Sequence, residues 1–124
     1  MDLEVVQISD QGEYDKEYVV LKANEDCNLG DYILADSTYS AAGQPSNKAR
    51  HVFFFPLMDV KKGEYISVWT KPGKNVKAET AQGDPIHRFF WGLKESIWND
   101  TGDCAYLMKA PRSERKAYQV PKKS

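Results

Sequence analysis

No window of eleven residues in this chain carries an apolar stripe at helical spacing. What it carries is short runs of β-branched and aromatic residues, broken by Gly, Pro and Asx clusters. Such a pattern builds sheets, because residues alternate between two faces of a strand with a period of two. Glu17-Tyr18-Val19-Val20-Leu21-Lys22-Ala23 is the clearest run: Val19, Leu21 and Ala23 share one face, and Tyr18, Val20 and Lys22 the other. In Glu64-Tyr65-Ile66-Ser67-Val68-Trp69-Thr70, Ile66 and Val68 oppose Tyr65, Ser67 and Trp69. Leu3–Ile8, Tyr32–Asp36, His51–Phe55, Arg88–Trp91 and Cys104–Met108 complete the set. Seven to nine short strands without intervening helices predict an all-β, two-sheet antiparallel sandwich.

The chain has 124 residues, enough for one domain that buries roughly two-thirds of its unfolded surface. A sandwich over residues 1–110 and a basic, flexible C-terminal tail over 111–124 are expected. Two polar stretches, residues 37–50 and 71–84, read as long loops. There is no run long and apolar enough for a membrane span. Met1-Asp2-Leu3-Glu4 lacks the basic and apolar regions of a signal peptide, so a cytoplasmic location is expected. Cys27 and Cys104, 77 positions apart, read as reduced structural residues rather than a metal site.

The net charge of −1 hides a segregation. Residues 1–36 hold ten acids and two bases; residues 37–124 hold fifteen bases and eight acids. Opposite-charge surfaces of two copies could therefore attract one another. The basic tail, with Arg112, Arg115 and Lys116, and the loop bearing Lys71, Lys74 and Lys77 could attract nucleic acid or an anionic surface.

Four blocks, in order, resemble the lamin tail domain. They are Glu17-Tyr18-Val19-Val20-Leu21-Lys22; Tyr32-Ile33-Leu34-Ala35-Asp36; Phe53-Phe54-Phe55-Pro56 running on to Val60-Lys61-Lys62-Gly63-Glu64-Tyr65-Ile66-Ser67-Val68; and Ile97-Trp98-Asn99-Asp100-Thr101-Gly102-Asp103-Cys104-Ala105-Tyr106-Leu107. The fourth is the most specific, because family members carry a Trp-Asn-(Asn/Asp)-x-Gly-Asp turn before the last strand. The blocks span residues 17–107. The resemblance implies an immunoglobulin-like sandwich and a non-catalytic binding module. No coiled-coil heptads precede it, so the filament role of the best-known members does not carry over. In the turn, Trp98 is large enough to plug the space between sheets, Asn99, Asp100 and Asp103 can hold backbone groups, and Gly102 can take a positive φ.

Catalytic chemistry has little to stand on. His51 and His87, each at the start of an apolar strand, read as edge-of-strand structural residues; no His-x-His or Cys-x-x-Cys spacing supplies a metal site. Asp10, Glu13, Asp15 and Glu17, and then Glu25, Asp26 and Asp31, read as solvated loop acids without a calcium-loop pattern. The serines lack a Gly-x-Ser-x-Gly elbow. No catalytic residue, metal or cofactor is expected. The aromatics Tyr18, Phe54, Tyr65 and Trp69 lie opposite their strands' core-facing residues, and exposed together they would form a patch suited to a protein partner. Scaffolding through such a patch is the leading expectation; nucleic-acid or anionic-surface binding is the alternative.

Overall fold

A computed structural model describes residues 1–39, 45–98 and 103–121. The chain is nearly all strand. In order, the strands are β1 (Leu3–Ser9), β2 (Tyr18–Ala23), β3 (Cys27–Asn28), β4 (Tyr32–Tyr39), β5 (Pro45–Phe54), β6 (Asp59–Val60), β7 (Tyr65–Trp69), β8 (Val76–Glu79), β9 (Pro85–Phe90) and β10 (Asp103–Lys109). One sheet has the order β1-β2-β7-β9-β8, a second β10-β4-β5, and β3 pairs with β6 in a two-stranded ribbon. The expected sandwich is what forms, with one feature the pattern does not carry. β7 and β9 run parallel, from Tyr65↔Ile86 to Trp69↔Phe90, inside an otherwise antiparallel sheet.

The inner faces follow the alternation. Val19, Leu21, Ala23, Ile66, Val68 and Phe89 from the first sheet meet Leu34 and Phe55 in one buried cluster, with Phe53 and Leu107 packed against it. The Phe89 ring lies 5.7 Å from that of Phe55 and 6.2 Å from that of Phe53, both edge to face, so these rings join the two layers. In β1 the register shifts between Val5 and Gln7. That bulge lets Leu3 and Val5 before it, and Ile8 after it, all pack on the core while Val6 stays exposed.

Two of the polar stretches are not wholly loops. β4 and β5 continue into residues 37–50, with Ser37 opposite Ala49 and Tyr39 opposite Pro45, and β8 lies within 71–84. A ladder needs only backbone groups, so pairing extends through a sequence without an apolar alternation. β8 is a short edge strand, exposed apart from a half-buried Ala78, and polar edge strands of this kind resist pairing with other chains.

Asp10, Glu13 and Asp15 of the first acidic cluster are exposed, but Glu17 overturns its reading as a solvated loop acid. It is fully buried. Its Oε2 accepts from Thr70 Oγ1 at 2.5 Å, Ile97 N at 3.0 Å and Trp98 N at 3.4 Å; its Oε1 accepts from Gly12 N at 3.1 Å and from the Ser96 hydroxyl. One carboxylate thus ties three separate segments together. It also fixes the backbone that delivers Trp98, 1% exposed, into the core beside Trp91. Trp98 is thereby part of the buried core cluster. Asn99, Asp100 and Gly102 lie outside the described residues, and Asp103 opens β10 opposite Thr38.

The tail does not leave the domain at Pro111. Ala110 N donates to Asp31 O, Arg112 N to Asp31 Oδ1 and Arg115 Nη2 to Gly30 O, so residues 110–115 lie against the turn between β3 and β4. A Cβ on Gly30 would sit 2.7 Å from Leu57 Cδ2, so a side chain there would push the exposed Leu57 aside. Beyond it Tyr118 and Val120 are exposed. Among the described residues no helix is long and apolar enough to cross a membrane.

The layer-joining role of Phe89 makes a contrast measurable by urea unfolding. Phe89→Ala should lose about 3–5 kcal/mol. Phe54→Ala, at a ring that is 60% exposed on the outer face of the second sheet, should change stability by no more than about 0.5 kcal/mol.

Candidate functional site

The outer face of the five-stranded sheet is laid out by register. Cross-strand pairing places Tyr18, Trp69 and Phe90 in one row, Val20, Ser67 and Arg88 in the next, and Lys22, Tyr65 and Ile86 in the third. The outer rows are bulky and the middle row has small residues at two of its three positions. The result is a groove of about 420 Å³ over Val20 and Ser67. Tyr18 and Trp69 wall one end and Tyr65 the other; Ile86, Arg88 and residues 79–82 line one side, and Gln7 lines it from β1.

The walls are held in place. Tyr18 and Trp69 stack at 4.2 Å between centroids, and Trp69 and Phe90 at 6.1 Å, with interplanar angles of 24° and 23°. Trp69 Nε1 donates to Ser67 Oγ at 3.1 Å, which draws the indole back toward the groove floor. Lys71 Nζ stands 5.4 Å from the Trp69 ring centroid, and Lys22 Nζ 5.8 Å from that of Tyr65, both within cation–π range. Phe90 is pinned from outside. Gly73 packs so closely that a Cβ would lie 2.4 Å from the ring, and Asn75 Oδ1 accepts from Phe90 N. The 80–84 turn closes on itself through Thr80 N to Asp84 O, Gly83 N to Thr80 O and Asp84 N to Thr80 Oγ1, with Gly83 at φ +88°.

Three of the four aromatics expected to form a patch, Tyr18, Tyr65 and Trp69, do come together. Phe54 does not: it belongs to β5, on the outer face of the other sheet, near exposed Val52 and Met108. Lys71 reaches the groove through Trp69. Lys74 is exposed in the following loop, and Lys77 sits on β8 opposite His87, beside a smaller 130 Å³ cleft that His87 also lines. Arg112, Arg115 and Lys116 lie on the C-terminal segment, where the Arg115 guanidinium is engaged by the carbonyls of Gly30 and Ala110. Ile86, Arg88, Gln7 and Gln82 were not legible as site residues. The alternation Ile86-Arg88-Phe90 was the one signal, and it gains meaning only once β9 is known to lie beside β7.

Both histidines carry a carboxylate partner. His51 Nδ1 lies 3.2 Å from Oδ1 of buried Asp36, and its backbone N–H donates to the same oxygen. His87 Nε2 lies 3.3 Å from Glu64 Oε1. Neither ring lines the large groove. Among the described residues no group of three or more His, Cys, Asp or Glu is placed to hold a metal ion. Asp26 and Asp31 serve as turn acceptors, for Lys62 N and Arg112 N. Cys27 and Cys104 are thiols, and burial pushes that of Cys27 above its ordinary value. Compared with models of known protein families and with curated proteins, the chain matches none.

Glu64 gives the molecule an acid-sensitive element. The Lys61 backbone N–H, at 2.9 Å, is the main cause of a carboxyl held below its ordinary value; burial opposes this, and His87 adds to it. A depressed folded-state pKa contributes stability above the unfolded value of 4.5, and that contribution is lost as pH falls through the folded value. Glu64→Gln should therefore be less stable than the parent at neutral pH, with the difference closing below pH 4.5. Thermal unfolding of both proteins across acidic pH measures it; a gap that stays constant to low pH would contradict the assignment.

Proposed function

We propose that this domain is a non-catalytic interaction module that binds a protein partner through the outer face of its five-stranded sheet. The observation that carries the reading is the groove of about 420 Å³ between Tyr65 and the Tyr18–Trp69 pair. Recognition sites are concave, have aromatic walls and carry a few placed polar groups. Here Ser67, Arg88, Gln7 and Gln82 supply the polar groups. The rigid framing of Trp69 and Phe90 by neighbouring side chains and by Gly73 lowers the ordering cost of binding.

The four-block resemblance to the lamin tail domain supports the same class of function, a module that docks rather than one that reacts. A cytoplasmic location accords with the two thiols. The second reading, nucleic-acid or anionic-surface binding, draws on exposed Lys74 and Lys77, on Lys71 over Trp69, and on the basic tail. It is the weaker of the two. The two basic groups sit on different elements, and Arg115 is already committed to backbone carbonyls.

The test is capture of a partner by the immobilised domain, repeated with a Tyr18→Ser/Trp69→Ser double variant whose fold is checked by circular dichroism. A partner retained by the parent and lost by the variant is the expected result. Equal retention by both would move the binding surface elsewhere, and retention that vanishes with nuclease treatment would favour the second reading.

A further inference from the structure

The chemistry of the groove narrows what it takes. Resting on the binding function proposed above, we infer that the groove receives an acidic segment of the partner protein, an extended peptide that sets a carboxylate against Arg88. Arg88 lies in the middle row, opposite Ser67, and lines the groove. It is half-buried, and among the described residues no carboxylate lies within ion-pairing distance of it. A half-buried guanidinium without a partner pairs best with a carboxylate, which its planar fork holds with two parallel hydrogen bonds. Lys22 over Tyr65 and Lys71 over Trp69 place a cation at each end. Of the residues that line the groove Arg88 is the one cation and Glu79, on edge strand β8, the one acid; Lys22, which pairs with Glu4 across the β1–β2 ladder, and Lys71 stand outside the lining. Within the groove the unpaired cation is thus Arg88 at its middle, while Glu79 sits at its edge, so charge complementarity centres on the guanidinium.

The rings favour a peptide over a nucleic acid. Bases bind single-strand readers by lying on free ring faces. Here Tyr18, Trp69 and Phe90 stack on one another, and Lys71 lies over Trp69, so the rings offer the groove edges more than faces. Ring edges carry the positive part of the aromatic quadrupole and suit carboxylate oxygens. The distance along β7 from Tyr65 to Trp69 is about 13 Å at the usual strand rise, the reach of about four extended residues.

The experiment is an amide chemical-shift titration of the full chain at about 50 mM salt, where surface charges are only partly screened. The probes are the capped pentapeptide Glu-Tyr-Glu-Leu-Glu, its Lys-Tyr-Lys-Leu-Lys counterpart and an oligothymidylate. The acidic peptide should move the amides of Ser67, Trp69 and Arg88. Arg88→Gln should weaken it by about tenfold or more, the loss of one charged hydrogen-bonded contact; Arg88→Lys should restore part of the affinity, and Lys71→Gln should cost less. Both Arg88 variants point a polar chain outward, and each spectrum reports whether its fold is kept. Unchanged affinity in Arg88→Gln, equal shifts with the lysine peptide, stronger groove shifts with oligothymidylate, or no groove shift at millimolar acidic peptide would each overturn the inference. Stronger shifts with oligothymidylate would also favour the nucleic-acid reading of the domain; the other three leave the broader binding function standing, which is tested separately by whether capture depends on Tyr18 and Trp69.

Discussion

Everything above the core hangs on one buried carboxylate. Glu17 receives five donors from three stretches of chain: Gly12 in the turn before β2, Thr70 just after β7, and Ser96, Ile97 and Trp98 ahead of β10. A buried charge without such company would be very costly, and one with it fixes a unique geometry. The segment it organises has little regular structure of its own, yet it delivers the largest fully buried side chain of the domain, Trp98. Glu17 is also the residue next to Tyr18. The staple that closes the core therefore fixes the start of the strand on which the groove is built.

The two faces of the first sheet have separate tasks. Inward residues Val19, Leu21, Ile66, Val68 and Phe89 join the layers through Phe53 and Phe55. Outward residues of the same strands, one position along, make the groove. Because the pleat alternates strictly, a change at Trp69 or Arg88 leaves the inner packing in place, and a binding surface can vary without cost to the core. The parallel β7–β9 pair matters for the same reason. It brings Ile86, Arg88 and Phe90 beside Tyr65, Ser67 and Trp69 in register, and so gives the groove its second side.

Much of this was legible in the sequence wherever the signal is local. Alternation assigned both faces of β2 and β7, and the bulk of Trp98 marked it as a plug. Long-range facts were not legible. Glu17 looks like its neighbours Glu13 and Asp15, since nothing near it in sequence announces donors some eighty residues away. β8 escaped because an exposed edge strand needs no apolar face. Arg88 escaped because its neighbour β7 is reached by a parallel pairing, which leaves no hairpin signature. Ser67 was visible as one outward residue among aromatics. Its smallness becomes the groove floor only when Val20 lies beside it.

The Glu17 carboxylate holds the 96–98 segment and, through it, Trp98. Glu17→Met keeps the length of the side chain but removes both acceptor oxygens, leaving the buried Ile97 and Trp98 N–H groups unpaired at about 1–3 kcal/mol each. Amide hydrogen exchange under native conditions measures the consequence directly. In Glu17→Met the amides of Ile97 and Trp98 should exchange about tenfold or more faster, as local opening becomes easier, while Val19 and Val68 in the β2–β7 ladder change less. Unchanged protection at Ile97 and Trp98 would contradict the account.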